Sequence, residues 1–303
     1  MKEIVIITGA SGNLAKSVAK KLEIDGFKVF FYSSNLNIIN NKNIFYWDVG
    51  SGVFDKAPLA NCSHIVHLSG YGVINKWTEE NKKKMYVSRV DAANLLFNYC
   101  KEKKINIKTF VSASAIGYYG FDSIGIKVES DLPANDWLAK LAIDWEKSAN
   151  DFTTINTRVI KLRISLIFTK SSGFLKPILL SMKFGVAPIL GKRVQSFEWI
   201  HLDDLSSFIL FSLKNKNVNG AYNLATESKT NQAEFLNVIK NKYFRYSLLI
   251  KIPTFVLRLL LGQRRKILST DIAVSVKKLM STGFKFQYPN VGIAIDKELK
   301  EKN

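Results

Sequence analysis

The chain has 303 residues, of which 47% are hydrophobic, and its 44 Lys and Arg outweigh 25 Asp and Glu for a formal net charge of +19. That hydrophobic fraction supports a substantial core and excludes a disordered chain. Two cysteines, Cys62 and Cys100, exclude a disulfide framework and are expected to fill core space, and no CxxC or Cys/His cluster offers a metal site.

The first half alternates strand-like and helical runs. "EIVIIT" (3–8) leads to a helix from about Asn13 to Asp25, and "KVFFYSS" (28–34), "IFYWDV" (44–49) and "HIVHLSG" (64–70) follow as strands. One long helix is expected from about Glu79 to Lys103, then strand "KTFVSAS" (108–114), a helix from about Trp137 to Asp151, and one strand over "TRVIKLRISLIF" (157–168). Alternation of this kind predicts an α/β fold with a doubly wound, Rossmann-type parallel sheet whose strand C-termini line one ligand-binding edge. After Phe168 the pattern loosens. "FEWIHLDDLSSFILFSL" (197–213) reads as a strand entering an Asp-capped helix, "GAYNLAT" (220–226) as a strand, and the remainder as mainly helical. The expected division is a dinucleotide-binding domain over 1–169, to which 197–226 return, and a smaller, mainly helical C-terminal substrate lobe over 170–196 and 227–303.

The lysines are scattered over exposed helix positions and short groups such as "NKKK" (81–84) and "KEKK" (101–104). With no basic tail, zinc finger or recognition helix, no nucleic-acid partner is expected, although a basic surface attracts a phosphorylated ligand. The apolar run "IPTFVLRLLLG" (252–262) is shorter than the roughly 20 residues that span a bilayer, and no secretory apolar region precedes the first glycine turn. A cytoplasmic protein without a membrane partner is expected. "VLRLLL" (256–261) offers a self-association surface for a homodimer, with core burial as the alternative.

"TGASGNLA" (8–15) follows a strand and opens a helix, the context in which a glycine-rich turn cradles a pyrophosphate. Gly9 permits the tight turn, and Gly12 lets the backbone approach phosphate at the helix N-terminus. Ala15 stands where a third glycine would serve helix–strand packing, and alanine disturbs that packing least. At the end of the second strand an acidic residue would bind the ribose hydroxyls of NAD. Here Ser33, Ser34 and Asn35 stand instead, compatible with a 2′-phosphate that Lys16 or Lys42 would help to neutralise, so NADP is favoured over NAD. Asp48, after the third strand, suits contact with adenine, or else a turn.

"HLSGYGVINKWTEENKKKMYVSRV" (67–90), "VSASAIGYYG" (111–120), "WLAKLAIDWE" (137–146), "EWIHLDDL" (198–205) and "TGFKFQYP" (282–289) then follow in order. Together with the turn they resemble the extended short-chain dehydrogenase/reductase superfamily, in its NAD(P)-dependent epimerase-like branch of the YfcH and SDR39U1 type, including that branch's C-terminal DUF1731-type segment. The resemblance implies an NADP-binding epimerase or oxidoreductase acting on a small molecule, phosphorylated or nucleotide-linked. It implies that Gly9, Ser11, Gly12, Asn13 and Leu14 wrap the pyrophosphate and that Ser33 and Ser34 flank the adenosine ribose. It further implies that Leu68, Ser69 and Gly70 line the cofactor, and that Arg89 approaches a phosphate, with a surface helix arginine as the alternative. The branch usually carries arginine where Ser34 stands.

Extended members use a Ser or Thr after the fifth strand and a Tyr-xxx-Lys pair on the next helix, where the lysine and the cofactor's nicotinamide lower the tyrosine pKa. Ser114, with Ser112 nearby, fits the serine position. Counting back from Glu146 puts Leu138 at the tyrosine position and Ala142 at the lysine position. Two readings follow. Either the protein is a redox enzyme that recruits Tyr118 or Tyr119 as the acid, with Lys140 on the same helix, or it keeps the nucleotide as a cofactor-responsive sensor. His201 in "WIHLDDL" is expected to pack the junction between lobes. Lys192 and Arg193 would meet a substrate phosphate, and Trp77, Phe174 and Trp199 are expected mainly in packing.

Overall fold

A computed structural model describes residues 2–39, 41–121, 123–190, 196–268 and 271–300. The strands run β1 (Ile4–Thr8), β2 (Lys28–Ser33), β3 (Ile44–Asp48), β4 (Val53–Phe54), β5 (His64–His67), β6 (Thr109–Ala115), β7 (Ile126–Lys127), β8 (Arg158–Ile164), β9 (Leu166–Phe168), β10 (Val186–Ile189), β11 (Trp199–His201), β12 (Gly220–Leu224), β13 (Leu248–Lys251) and β14 (Ala273–Val274). The helices are α1 (Asn13–Ile24), α2 (Glu79–Tyr86), α3 (Ala92–Glu102), α4 (Trp137–Asn150), α5 (Leu175–Lys183), α6 (Leu202–Lys214), α7 (Gln232–Tyr243), α8 (Thr254–Leu261), α9 (Arg265–Leu268), α10 (Lys277–Met280) and α11 (Val291–Lys300).

The chain divides into two compact units: 1–115 with 140–163 and 206–222, and 116–139 with 164–205 and 223–303. The first is built on an eight-stranded sheet of order β12-β8-β6-β5-β1-β2-β3-β4. β1 pairs in parallel with β2 and β5, β5 with β6 and β2 with β3, while β4 runs antiparallel to β3. Burial of a parallel strand on both faces demands a continuous apolar run, and Val5, Ile6 and Ile7 are fully buried. α1 buries Ala15, Val18, Ala19 and Leu22, spaced three and four residues apart as one helical face requires. Strand order reverses between β1 and β5, the place where doubly wound sheets take their ligands.

Two expectations are corrected here. The helix expected over 79–103 is interrupted at Val87–Asp91 by a π-helical turn, which rotates the side chains that follow it. The strand expected over 157–168 divides at Ser165. Ser165 N–H donates to Leu224 O, Leu166 N–H donates to Glu198 O, and β9 pairs with β11 in a separate ladder.

The second unit has small parallel ladders, β9 with β11, β7 with β14 and β10 with β13. Its core clusters Phe168, Trp199 and Phe235 with the apolar faces of α5, α7 and α11. Two buried polar contacts tie the C-terminal segment to it. Asp204 accepts the Gln287 and Tyr288 N–H groups, and His201 Nε2 lies 3.0 Å from Glu298 Oε1 beneath the Tyr288 ring. The Asp203 N–H donates to His201 Nδ1, so Nε2 carries the proton that reaches Glu298. His201 is therefore committed to holding α11. Among the described residues no helix is long and apolar enough to cross a membrane.

Candidate cofactor and active site

Thr8, the last residue of β1, organises the turn that follows it. Its hydroxyl oxygen accepts the Leu68 and Ser69 N–H groups, both at 3.0 Å, so its own proton goes to His67 Nδ1, also at 3.0 Å. His67 must then carry its proton on Nε2, which donates to the Arg89 carbonyl at 2.9 Å. Burial pushes the His67 pKa down to about 4, which keeps the ring neutral. Three backbone groups, two just after β5 and one in the π-turn, are thereby fixed through two side chains.

Gly9 has φ +84°, and a Cβ there would lie 3.1 Å from Ser69 Cα and 3.3 Å from Leu68 O. Only glycine fits both the angle and the approach. Gly12 takes an extended conformation at the N-cap of α1, and no side chain caps the helix. The first turn of α1 also carries no acid, so its N–H groups and dipole offer positive potential with no built-in counter-charge. Ser11 is exposed, Asn13 and Leu14 are half-buried, and Ala15 packs inward. A cradle that a Cβ would fill, at the N-terminus of a 12-residue helix, fits a dinucleotide pyrophosphate.

At the end of β2, Ser33 is buried and its Oγ accepts the Asn35 N–H at 3.0 Å, while Ser34 is exposed. Asp48 turns back on its own loop, its carboxylate accepting Gly50 N–H and Ser51 Oγ–H at 3.0 and 2.8 Å. The Ser51 hydroxyl and the backbone donors hold that carboxyl below its usual range.

Beyond β5, Leu68 and Ser69 are half-buried and Gly70 is exposed, with Ser69 Oγ donating to Ser88 O at 2.8 Å. Arg89 is not a surface residue, and no carboxylate pairs with it among the described residues. It is 8% exposed, its Nη1 donates to Tyr71 O and Met85 O at 3.0 and 3.2 Å, and its guanidinium lies 5.0 Å from the Trp145 ring centre.

Around the end of β6 the hydroxyls are already engaged. Ser114, 3% exposed, donates to Glu146 Oε1 at 2.9 Å. Glu146 in turn receives Arg163 Nε and Nη2 at 2.8 and 3.0 Å, with Lys161 Nζ 3.8 Å away. Ser112 donates to the Ala113 carbonyl. In the second unit, the Tyr119 hydroxyl lies 2.7 Å from Asn223 Oδ1 and 3.0 Å from Val128 O, and Tyr118 is half-buried with its ring edge-on to Tyr119. Ala142 is buried, Lys140 is exposed, and Lys192 and Arg193 lie outside the described residues. Thr8, His67, Glu146 and Arg163 are functional-site neighbours that the sequence reading did not assign. Their pairing spans up to 59 residues and leaves no local signature.

Known proteins resemble this chain over nearly its whole length. An epimerase family protein of Staphylococcus aureus (strain N315) is 26% identical over 298 residues, covering 98% of this chain and 99% of that protein. One of Staphylococcus saprophyticus is 29% identical over 293 residues, covering 96% and 97%. Human epimerase family protein SDR39U1, solved with NADPH, shares the fold with a TM-score of 0.86 at 22% identity, over 99% of this chain and 100% of that one. UDP-N-acetylglucosamine 4-epimerase of Bacillus cereus does so at 0.76 and 16% identity, over 98% of each. A domain of unknown function, DUF1731, matches residues 252–297. The family described as NAD dependent epimerase/dehydratase matches residues 5–225, and the chain belongs to it.

Proposed function

We propose that the protein binds NADP(H) across the β1–α1 turn and the end of β5, and acts as an epimerase or oxidoreductase on a small sugar-nucleotide or carbonyl substrate. The Gly9 cradle beneath the uncapped N-terminus of α1, at the reversal point of the sheet, carries this reading. Gly9 to Leu14 would hold the pyrophosphate, Ser33 and Ser34 the ribose side, and Leu68 to Gly70 the far half of the cofactor. When bound, the cofactor supplies hydride acceptance and return. Tyr118 or Tyr119 would then move the proton, because α4 lacks the Tyr-xxx-Lys pair. NADPH bound by the human SDR39U1 protein supports the cofactor choice, and the nucleotide sugars of other neighbours support the substrate class.

The Ser114 contact favours a second reading, a sensor that binds NADP(H) without turnover, since its hydroxyl proton is held by Glu146. Titration of purified protein with NADPH and NADH tests the cofactor, and failure to bind either sinks both readings. Bound nicotinamide should then change its absorbance when the right sugar nucleotide or carbonyl compound is supplied. Ser114→Ala should slow that change severely in an enzyme, and a sensor should show no change with any of them.

A further inference from the structure

Arg89 is a buried cation for which the described residues provide no carboxylate. Isolated buried charge is costly, and proteins tolerate it where a ligand completes the site. One edge of the guanidinium is fixed by the Tyr71 and Met85 carbonyls. The other faces Gly70, where a Cβ would sit 2.8 Å from Nη2. The face of the group rests on Trp145, whose indole N–H is itself buried without an acceptor among the described residues. The π-turn at Val87–Asp91 sets this direction, and such turns recur at functional sites.

Trp145 lies three residues after Ala142 on α4, so the two share a helical face. Ala142 is where the family resemblance expects a lysine. The guanidinium therefore stands against the same face of α4, brought there from another element. Burial lowers the Arg89 pKa only to about 10, so the charge persists at neutral pH.

We propose that Arg89 supplies the fixed positive charge that Ala142 withholds from α4, and that it acts on the nicotinamide end of the cofactor, favouring the reduced, uncharged ring over the oxidised, cationic one. This rests on the NADP(H)-binding reading above. It differs from a phosphate contact in its consequence: a cation that touches phosphate helps both redox forms alike, whereas one beside the nicotinamide separates them.

The test is the ratio of Kd values for NADP+ and NADPH in the wild type, Arg89→Met and Arg89→Lys, with thermal midpoints recorded alongside. The wild type should bind NADPH at least tenfold more tightly than NADP+. Arg89→Met should move that ratio at least tenfold towards one without a lower midpoint, and Arg89→Lys should restore part of it. Should Arg89→Met fail to fold, Arg89→Gln keeps donors for Tyr71 and Met85 and carries the same expectation. Equal loss for both redox forms, or an unchanged ratio, overturns the proposal while leaving dinucleotide binding intact. A wild type that binds neither form overturns the functional reading and this inference with it.

Discussion

The C-terminal ends of neighbouring strands in one sheet are finished in opposite ways. At β1 and β5 the chain leaves donors without an internal answer among the described residues: the uncapped first turn of α1, the close approach at Gly9, and the buried Arg89 cation without a carboxylate. At β6 and β8 every strong group is answered from within, Ser114 by Glu146 and Glu146 by Arg163. The first pattern suits a protein that gains its missing partner from a ligand. The second suits a rigid wall. Stability and binding should therefore respond separately to changes at the two ends.

The largest effect is expected on the closed side. Glu146→Ala removes one member of a buried ion pair, leaving Arg163 charged and Ser114 without its acceptor, at a cost of about 3–5 kcal/mol in urea unfolding. A loss below about 1 kcal/mol would show that the wall is not held by this pair. The Thr8–His67–Arg89 latch joins the open side, and its signature is pH. His67 has a folded pKa of about 4 against an ordinary value near 6.5, so the unfolded chain binds the extra proton between those values. Its stabilisation is present above pH 6.5 and is lost as pH falls towards 4, by about 2 kcal/mol between pH 7 and pH 5. His67→Gln should flatten that slope, and an equally steep slope in the variant would assign the loss to other groups.

Gly9→Ala sharpens the contrast on the open side. The added Cβ meets Ser69 Cα at 3.1 Å in a positive-φ conformation, costing about 1–2 kcal/mol of stability. Dinucleotide affinity should fall by about tenfold or more as the backbone shifts from the phosphate position. Unchanged affinity in a folded variant would move the cradle elsewhere.

The open side was largely legible in the sequence because its signals are local. "TGASGN" between a strand and a helix names its own geometry, and Gly9 and Gly12 stand where the turn needs them. The closed side was not, because Ser114, Glu146 and Arg163 meet across three separate elements and each reads alone as an ordinary strand or helix residue. Arg89 lies between these cases. The family motif marked it for a ligand, while its burial against Trp145 has no counterpart in the sequence reading. The π-turn that sets its final direction has no comparable sequence pattern. The division of 157–168 at Ser165 escaped for a related reason: its apolar run is continuous, and the change of partner from one ladder to another depends on residues 198 and 224.

The smallest expected effect decides the cofactor. Ser34 is exposed at the end of β2, and its neighbour Ser33 is held by the Asn35 N–H, so a change at 34 leaves the turn in place. Ser34→Asp adds a carboxylate that repels a 2′-phosphate and accepts from ribose hydroxyls. The thermal midpoint should stay where it is, while the NADPH-to-NADH preference, read as a ratio of Kd values, should shift towards NADH by about tenfold, or ~1.4 kcal/mol. Ser34→Arg should shift it the other way by pairing with the phosphate. If neither substitution moves the ratio, the ribose does not lie against this strand end, and the selection between the two nucleotides belongs to Lys16, Lys42 or the segment after β3.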